Sequence, residues 1–174
     1  PGGLLDWYPS KSQRRIIEEA DLLILTRYEA IQPLFERLVK VPTKGLRVVD
    51  FADISGKGLS EAKAMLAHHD AVDVCIFGLS PEEDHLRSYL RQLANDHKGL
   101  FVITLAEKGA IAIMEGKTWY QRAFPVSDVV DTTGAGDCFA AHFLSCWCST
   151  GNIKEALKAG CFAASEIIQK LGAN

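Results

Sequence analysis

The chain has 174 residues, a formal net charge of −3 and an apolar share of 48%, which suits one compact α/β-sized domain burying roughly 70% of its unfolded surface around a single core. No apolar run approaches the ~20 residues that cross a bilayer, and Lys and Arg are scattered rather than gathered into a footprint for a polyphosphate backbone; neither a membrane nor nucleic acid is an expected partner. Pro1-Gly2-Gly3-Leu4-Leu5-Asp6 lacks a basic start followed by an apolar core, so no signal peptide is expected and a cytoplasmic location is.

Short apolar runs rich in β-formers alternate with amphipathic segments, the signature of βαβ units and a parallel sheet. Residues 21–26 read as a buried strand and 29–40 as a helix, with Pro33 tolerable only in the first turn. Residues 46–51 form the next strand and 60–66 a helix. A third strand is expected over 71–77, followed by Ser80 as N-cap, Pro81 at the first helical position and Glu82 and Glu83 in the first turn of a helix reaching Ala94.

Residues 100–105 read as another buried strand, whereas 110–114 and 118–122, joined by Glu115-Gly116-Lys117, read as an antiparallel hairpin, making the sheet mixed. From Asp137 the apolar positions Phe139, Ala140, Phe143, Leu144 and Trp147 recur at helical spacing up to Gly151. Asn152 and Glu155 form a capping box for a last helix that turns Leu157, Cys161, Ala164, Ile167, Ile168 and Leu171 inward. Cys75, Cys138, Cys146, Cys148 and Cys161 lie in apolar stretches without C-x-x-C pairs, and buried free thiols are the expectation. His68 and His69 read as surface residues, and Trp119 and Tyr120 as packing residues of the hairpin.

The segment Asp131-Thr132-Thr133-Gly134-Ala135-Gly136-Asp137 stands between an apolar approach and an amphipathic helix. Its small residues let the backbone approach a ligand closely, and its amides open a helix N-terminus where partial positive charge gathers, which makes an anion site. A carboxylate at that position, Asp137, can accept a proton. The residues alone leave a plainer reading open, a Gly-rich tight turn with Asp137 as an ordinary acid of the first helical turn. Asp50-Phe51-Ala52-Asp53 ends a strand at the edge where open α/β sheets bind ligands; Asp53 faces either a ligand's phosphates or cation, or solvent as a loop acid. Neither G-x-G-x-x-G after a strand nor G-x-x-x-x-G-K-[ST] is present, which argues against a nicotinamide dehydrogenase and a P-loop NTPase.

Residues 131–137 resemble the D-T-x-G-A-G-D signature of the ribokinase (PfkB) family of carbohydrate kinases. Val102-Ile103-Thr104-Leu105-Ala106-Glu107-Lys108-Gly109 is similar to the family's V-T-L-G-x-x-G strand and turn, and Ala163-Ala164-Ser165 through Gly172-Ala173-Asn174 to the helix and turn beside the adenine. The resemblance implies a three-layer α/β fold, a mostly parallel sheet with helices on both faces, as a single domain over 1–174. The lid and first βα units of the family are expected to be missing, and with them most sugar contacts. It implies an ATP-dependent sugar kinase with Mg²⁺, with Asp137 as catalytic base and the amides of Gly134, Ala135 and Gly136 as anion hole. Thr104, Gly109, Ala164 and Gly172 are the implied nucleotide contacts, and Asp131 and Thr133 the holders of a K⁺ ion.

Two departures stand out. Where the family has N-x-x-E ahead of a helix, helping to organise Mg²⁺, the chain offers Ser80-Pro81-Glu82-Glu83, which keeps only the acid, Glu83. Ala106 replaces a glycine, adding a methyl group beside the nucleotide turn. Within the family the sequence looks most similar to the fructoselysine 6-kinase branch, with other hexose or nucleoside acceptors as alternatives. A non-catalytic nucleotide-binding fragment is the rival from another class. Family members pair through the lid, so a homodimer would need a segment absent from these residues.

Overall fold

A computed structural model describes residues 2–67 and 71–172; His68, His69, Ala173 and Asn174 lie outside them. Two helices, α1 (Gly2–Leu5) and α2 (Lys11–Glu19), precede β1 (Leu22–Thr26), and then α3 (Gln32–Leu38), β2 (Leu46–Asp53), α4 (Leu59–Met65), β3 (Val74–Gly78), α5 (Asp84–Asp96) and β4 (Leu100–Thr104) alternate. The hairpin β5 (Ala110–Met114) and β6 (Lys117–Gln121) follows, and α6 (Ala135–Thr150) and α7 (Ile153–Ile167) close the chain. The strands form one six-stranded sheet in sequential order, parallel from β1 to β4 and antiparallel from β4 to β6. The mixed three-layer architecture expected from the sequence is present.

Alternation along the strands sorts the side chains into two cores. Val49, Phe51, Cys75, Phe77, Phe101 and Ile103 meet α3, α4 and α5 on one face, with the Phe51 and Phe77 rings stacked at 4.9 Å. Val48, Val74, Ile76, Leu100 and Val102 meet Phe139, Phe143 and Leu144 of α6 and Ala156, Leu157 and Cys161 of α7 on the other. Asp50 and Thr104 continue the second set of alternating positions past its apolar end, and this places both under the mouth of α6.

Several boundaries move for local reasons. A 3₁₀ turn at Glu29–Ile31 precedes α3, and Pro33 sits within the first turn of α3, as its missing N–H requires. The third strand begins at Val74 rather than 71. Residues 80–83 form a turn closed by the Glu83 amide on the Ser80 carbonyl at 3.1 Å, so α5 starts at Asp84 and Ser80 is not its cap; the Ser80 hydroxyl bonds the Glu82 carboxylate instead. The hairpin turn is two residues, Glu115 and Gly116, both at positive φ, which matches the twist of the paired strands. Asn152 caps α7 by accepting the amides of Lys154 and Glu155, but its own amide goes to Thr150 Oγ1 at 3.1 Å, so the return arm of a capping box is missing. Leu171 is 84% exposed, because α7 ends at Ile167 before reaching it.

Cys75 and Cys161 are buried, and burial pushes the Cys161 thiol up to about 11. Cys138 and Cys146 are half-buried, Cys146 at the margin of the second core, and Cys148 is exposed. The α6–α7 contact is close enough to require Gly160: a Cβ there would lie 2.8 Å from the Phe139 ring. Gly160→Val is therefore expected to destabilise the protein by about 1–3 kcal/mol through overpacking, against any gain in helix propensity, measured by urea unfolding; an unchanged midpoint would show the helices can part at little cost.

Candidate active site

The carboxyl ends of β2, β3 and β4 and the first turn of α6 enclose a cleft of about 670 Å³, whose wall includes Asp50, Gly78, Thr104, Ala135, Gly136 and Asp137. α6 begins after Gly134, whose φ of 79° reverses the chain into the helix, a conformation that suits glycine. The Ala135 amide is taken by the Thr132 carbonyl at 3.2 Å and the Cys138 amide by Gly134 at 2.8 Å. Among the described residues the amides of Gly134, Gly136 and Asp137 have no intramolecular acceptor. They are the open donors that every helix start leaves, here at the head of a 16-residue helix. Asp137 is exposed to the cleft rather than folded inward.

Of the residues singled out from sequence, Thr104, Ala135, Gly136 and Asp137 come together on the wall of this cleft, joined by Thr132. Thr104 also donates its hydroxyl to the Phe77 carbonyl at 3.2 Å, which fixes its rotamer. Gly109, Asp131, Thr133, Gly134, Ala164, Gly172 and Glu83 do not line it. Gly109 has a packing reason for being glycine: its φ is 102°, and a Cβ would lie 2.0 Å from the Gln121 carbonyl oxygen. The same turn is tied to the hairpin by the Tyr120 hydroxyl, which donates to the Lys108 carbonyl at 2.6 Å. Ala106, on the cleft wall, adopts φ 44°; its methyl group occupies a left-handed backbone that glycine would take without strain. Ala164 packs against the α6–α7 core.

Glu83 braces two loops, accepting the Gly56 amide at 2.8 Å. Beside it the Ser55 amide and hydroxyl donate to Asp53 Oδ1, at 2.8 and 2.6 Å, and the Ser80 amide donates to Ser55 Oγ at 2.6 Å. Asp53 is thus a loop-holding acid on the cleft wall. A second acid at N-x-x-E-like spacing, Thr26-Arg27-Tyr28-Glu29, stands at the carboxyl end of β1 just ahead of α3, with Tyr28 on the cleft wall. The signal that would have found it was its place, immediately after a strand end.

Asp50 is the cleft residue that sequence reading passed over. It sits just before a bulge in β2 where Ala52 turns to φ 57°, and its Oδ1 accepts the Ala52 amide at 2.8 Å. Burial pushes the Asp50 carboxyl above its usual value, the Ala52 amide pulls it back, and the like charge of Asp137 adds to the rise. Asp50, Asp53, Glu82, Glu107 and Asp137 all line the cleft, and among the described residues no Lys or Arg does.

A family model described as pfkB family carbohydrate kinase matches residues 40–174. The chain belongs to the pfkB family of carbohydrate kinases. Among curated relatives of this family member, fructoselysine 6-kinase of Escherichia coli K12 is 37% identical over 98 residues, covering 56% of this chain and 37% of that kinase. Adenosine kinase 2 of Arabidopsis thaliana is 33% identical over 87 residues, covering 49% of this chain and 25% of that one. The structure of a probable sugar kinase from Rhizobium etli CFN 42 shares the fold at a TM-score of 0.77 and 22% identity, over 98% of this chain and 55% of the other. The chain thus spans about half the length of that solved relative, and its alignments cover less than half of the curated ones.

The raised proton affinity of Asp50 has a definite sign. The folded chain holds this proton more tightly than the unfolded one, so the group favours folding below 3.8 and costs stability as pH rises through its higher folded value. Asp50→Asn keeps an acceptor for the Ala52 amide and removes the charge. It is expected to stabilise the fold at pH 7 and to be neutral near pH 3, compared by denaturant unfolding at the two values; no gain at pH 7 would mean the charge is fully solvated.

Proposed function

We propose that this chain is the nucleotide-binding, catalytic part of an ATP-dependent sugar kinase. It transfers the γ-phosphoryl group to a hydroxymethyl group of a sugar or sugar derivative, with fructoselysine the leading acceptor. The observation that carries the reading is Asp137, exposed at the head of α6 beside open main-chain amides on a cleft large enough for a nucleotide tail. The relative named for fructoselysine supports the acceptor; the adenosine kinase likeness makes a nucleoside the second choice.

In this reading Asp137 accepts the proton of the attacking hydroxyl as that oxygen bonds to phosphorus. The open amides of Gly136 and Asp137, on the cleft wall, then face the transferred group, with that of Gly134 behind them in the turn, and stabilise its charge without reorganising. Phosphoryl transfer runs through a loose transition state, so this aim supplies most of what the protein must provide and a weak base suffices. The pattern of charges on the wall fits a metal-bearing nucleotide: among the described residues no basic side chain lines the cleft, and no group of three or more His, Cys, Asp or Glu could hold a metal alone. A magnesium ion arriving with the nucleotide would supply charge neutralisation at the phosphates and would keep much of its water. Glu83 and Glu29 are the acids available to orient that water. Asp131 and Thr133 are the residues for a K⁺ ion behind the turn, although Asp131 already accepts two amides.

Asp137→Asn in the complete enzyme is expected to lower sugar-dependent ADP release by about 10²–10⁴-fold while leaving ATP affinity nearly unchanged. Turnover that survives the change would remove Asp137 from this role, and ATP binding without sugar-dependent turnover in the unmutated enzyme would favour a non-catalytic nucleotide module. For the metal, Glu29→Gln is expected to raise the Mg²⁺ concentration for half-maximal rate by about tenfold, and Glu83→Gln to act chiefly on stability through its loop brace; the reverse pattern would restore Glu83 as the metal-organising acid.

A further inference from the structure

The turn that aims the open amides is anchored from behind by a segment 41 residues later. The amides of Val130 and Asp131 both donate to the Ile168 carbonyl, at 2.8 and 3.2 Å. That carbonyl lies at the carboxyl end of α7, where a helix leaves its last acceptors unpaired. The Asp131 carboxylate then completes the junction: Oδ1 accepts the Thr133 amide at 2.9 Å and Oδ2 accepts the Gly172 amide at 3.0 Å. The Thr133 hydroxyl, the Thr133 amide and the Gly172 amide together hold this carboxyl below its usual value. Gly172 reaches the bond by adopting φ 77°, and a Cβ there would meet nothing within 4 Å. Glycine at 172 is thus explained by backbone conformation in service of this bond, not by crowding.

One side chain therefore joins two turns. One opens α6 and carries the open amides; the other follows α7. Asp131 reaches each through a different oxygen, and does not line the cleft. We propose that Asp131 is a positioning residue that locks the amide-bearing turn at residues 132–137 to the C-terminal turn at Gly172, so that the amides keep their aim only while this lock is closed. The inference rests on the reading of the cleft as a nucleotide site. It gives Asp131 a role that operates without an ion.

The test compares Asp131→Ala, which removes both acceptors, with Asp131→Asn, which keeps one oxygen. Mg·ATP binding is measured by calorimetry, and exchange of the Gly172 and Cys138 amides, the latter bonded to Gly134 in the amide-bearing turn, by NMR, on the unmutated protein and both variants. Asp131→Ala is expected to weaken Mg·ATP binding by at least about tenfold and to speed Gly172 amide exchange by a similar factor, with Asp131→Asn between. Should Asp131→Ala fail to fold, Asp131→Asn carries the same comparison. Weakened binding with unchanged Gly172 exchange would overturn the lock in favour of direct contact with nucleotide or ion, and unchanged binding with faster exchange would show that the junction does not aim the amides. If the unmutated protein binds no Mg·ATP, the nucleotide reading itself fails; the lock is then judged by whether loss of Asp131 speeds exchange at both amides, and unaltered exchange sinks it.

Discussion

The packing of α6 against the sheet is the constraint on which the rest depends. Phe139, Phe143 and Leu144 are buried against Val48, Val74 and Val102, and full burial of each such side chain favours the docked helix by about 1.5–3 kcal/mol. A helix fixed in that way has its first turn fixed too. Since the apolar positions begin two residues after Asp137, the amides ahead of them have to open at the strand ends. Gly160 lets α7 close on α6 from the other side, and the two helices act as a single wall behind the cleft.

The opposite face of the sheet sets the floor. Phe51, Phe77 and Phe101 are buried there, and strand alternation then leaves Asp50 and Thr104 to look the other way, toward Asp137. The loops beyond the strands are joined to each other by Asp53, Ser55, Ser80 and Glu83 through amide and hydroxyl donors. Floor and wall are thus held by different means: apolar burial fixes the elements, and short polar bridges fix the connections between them.

What could be read from the chain followed the range of the forces involved. Strands and long helices were legible because their apolar periods are local, and the D-T-x-G-A-G-D run was legible because glycine and acid positions there are dictated by the turn itself. Asp50 was less so: the strand end at 50–53 was marked, but with Asp53 as its acid, and the burial of Asp50 near Asp137, 87 positions later, arises only from the fold. Gly109, a nucleotide contact by family resemblance, also has a packing reason at the neighbouring β6 end, because a close backbone approach leaves the same residue type as a binding turn. Ser80 carried every local sign of a cap, yet its turn is closed by Glu83, and the helix waits until Asp84. Glu83 was linked to metal by its likeness to the family's N-x-x-E, and the fold adds a local task, acceptance of the Gly56 amide.

The all-acidic lining of the cleft has a consequence for traffic through it. On the proposed nucleotide reading, bare ATP approaching this wall would bring its own negative charges toward five carboxylates, opposed by main-chain dipoles and by Lys108, which pairs with Glu107 at 3.7 Å. The same molecule already complexed with a divalent ion arrives with much of that charge cancelled. On that reading the wall would act as a filter that favours nucleotide in its metal-loaded form over the uncomplexed species, a discrimination exerted by field and weakened as salt rises.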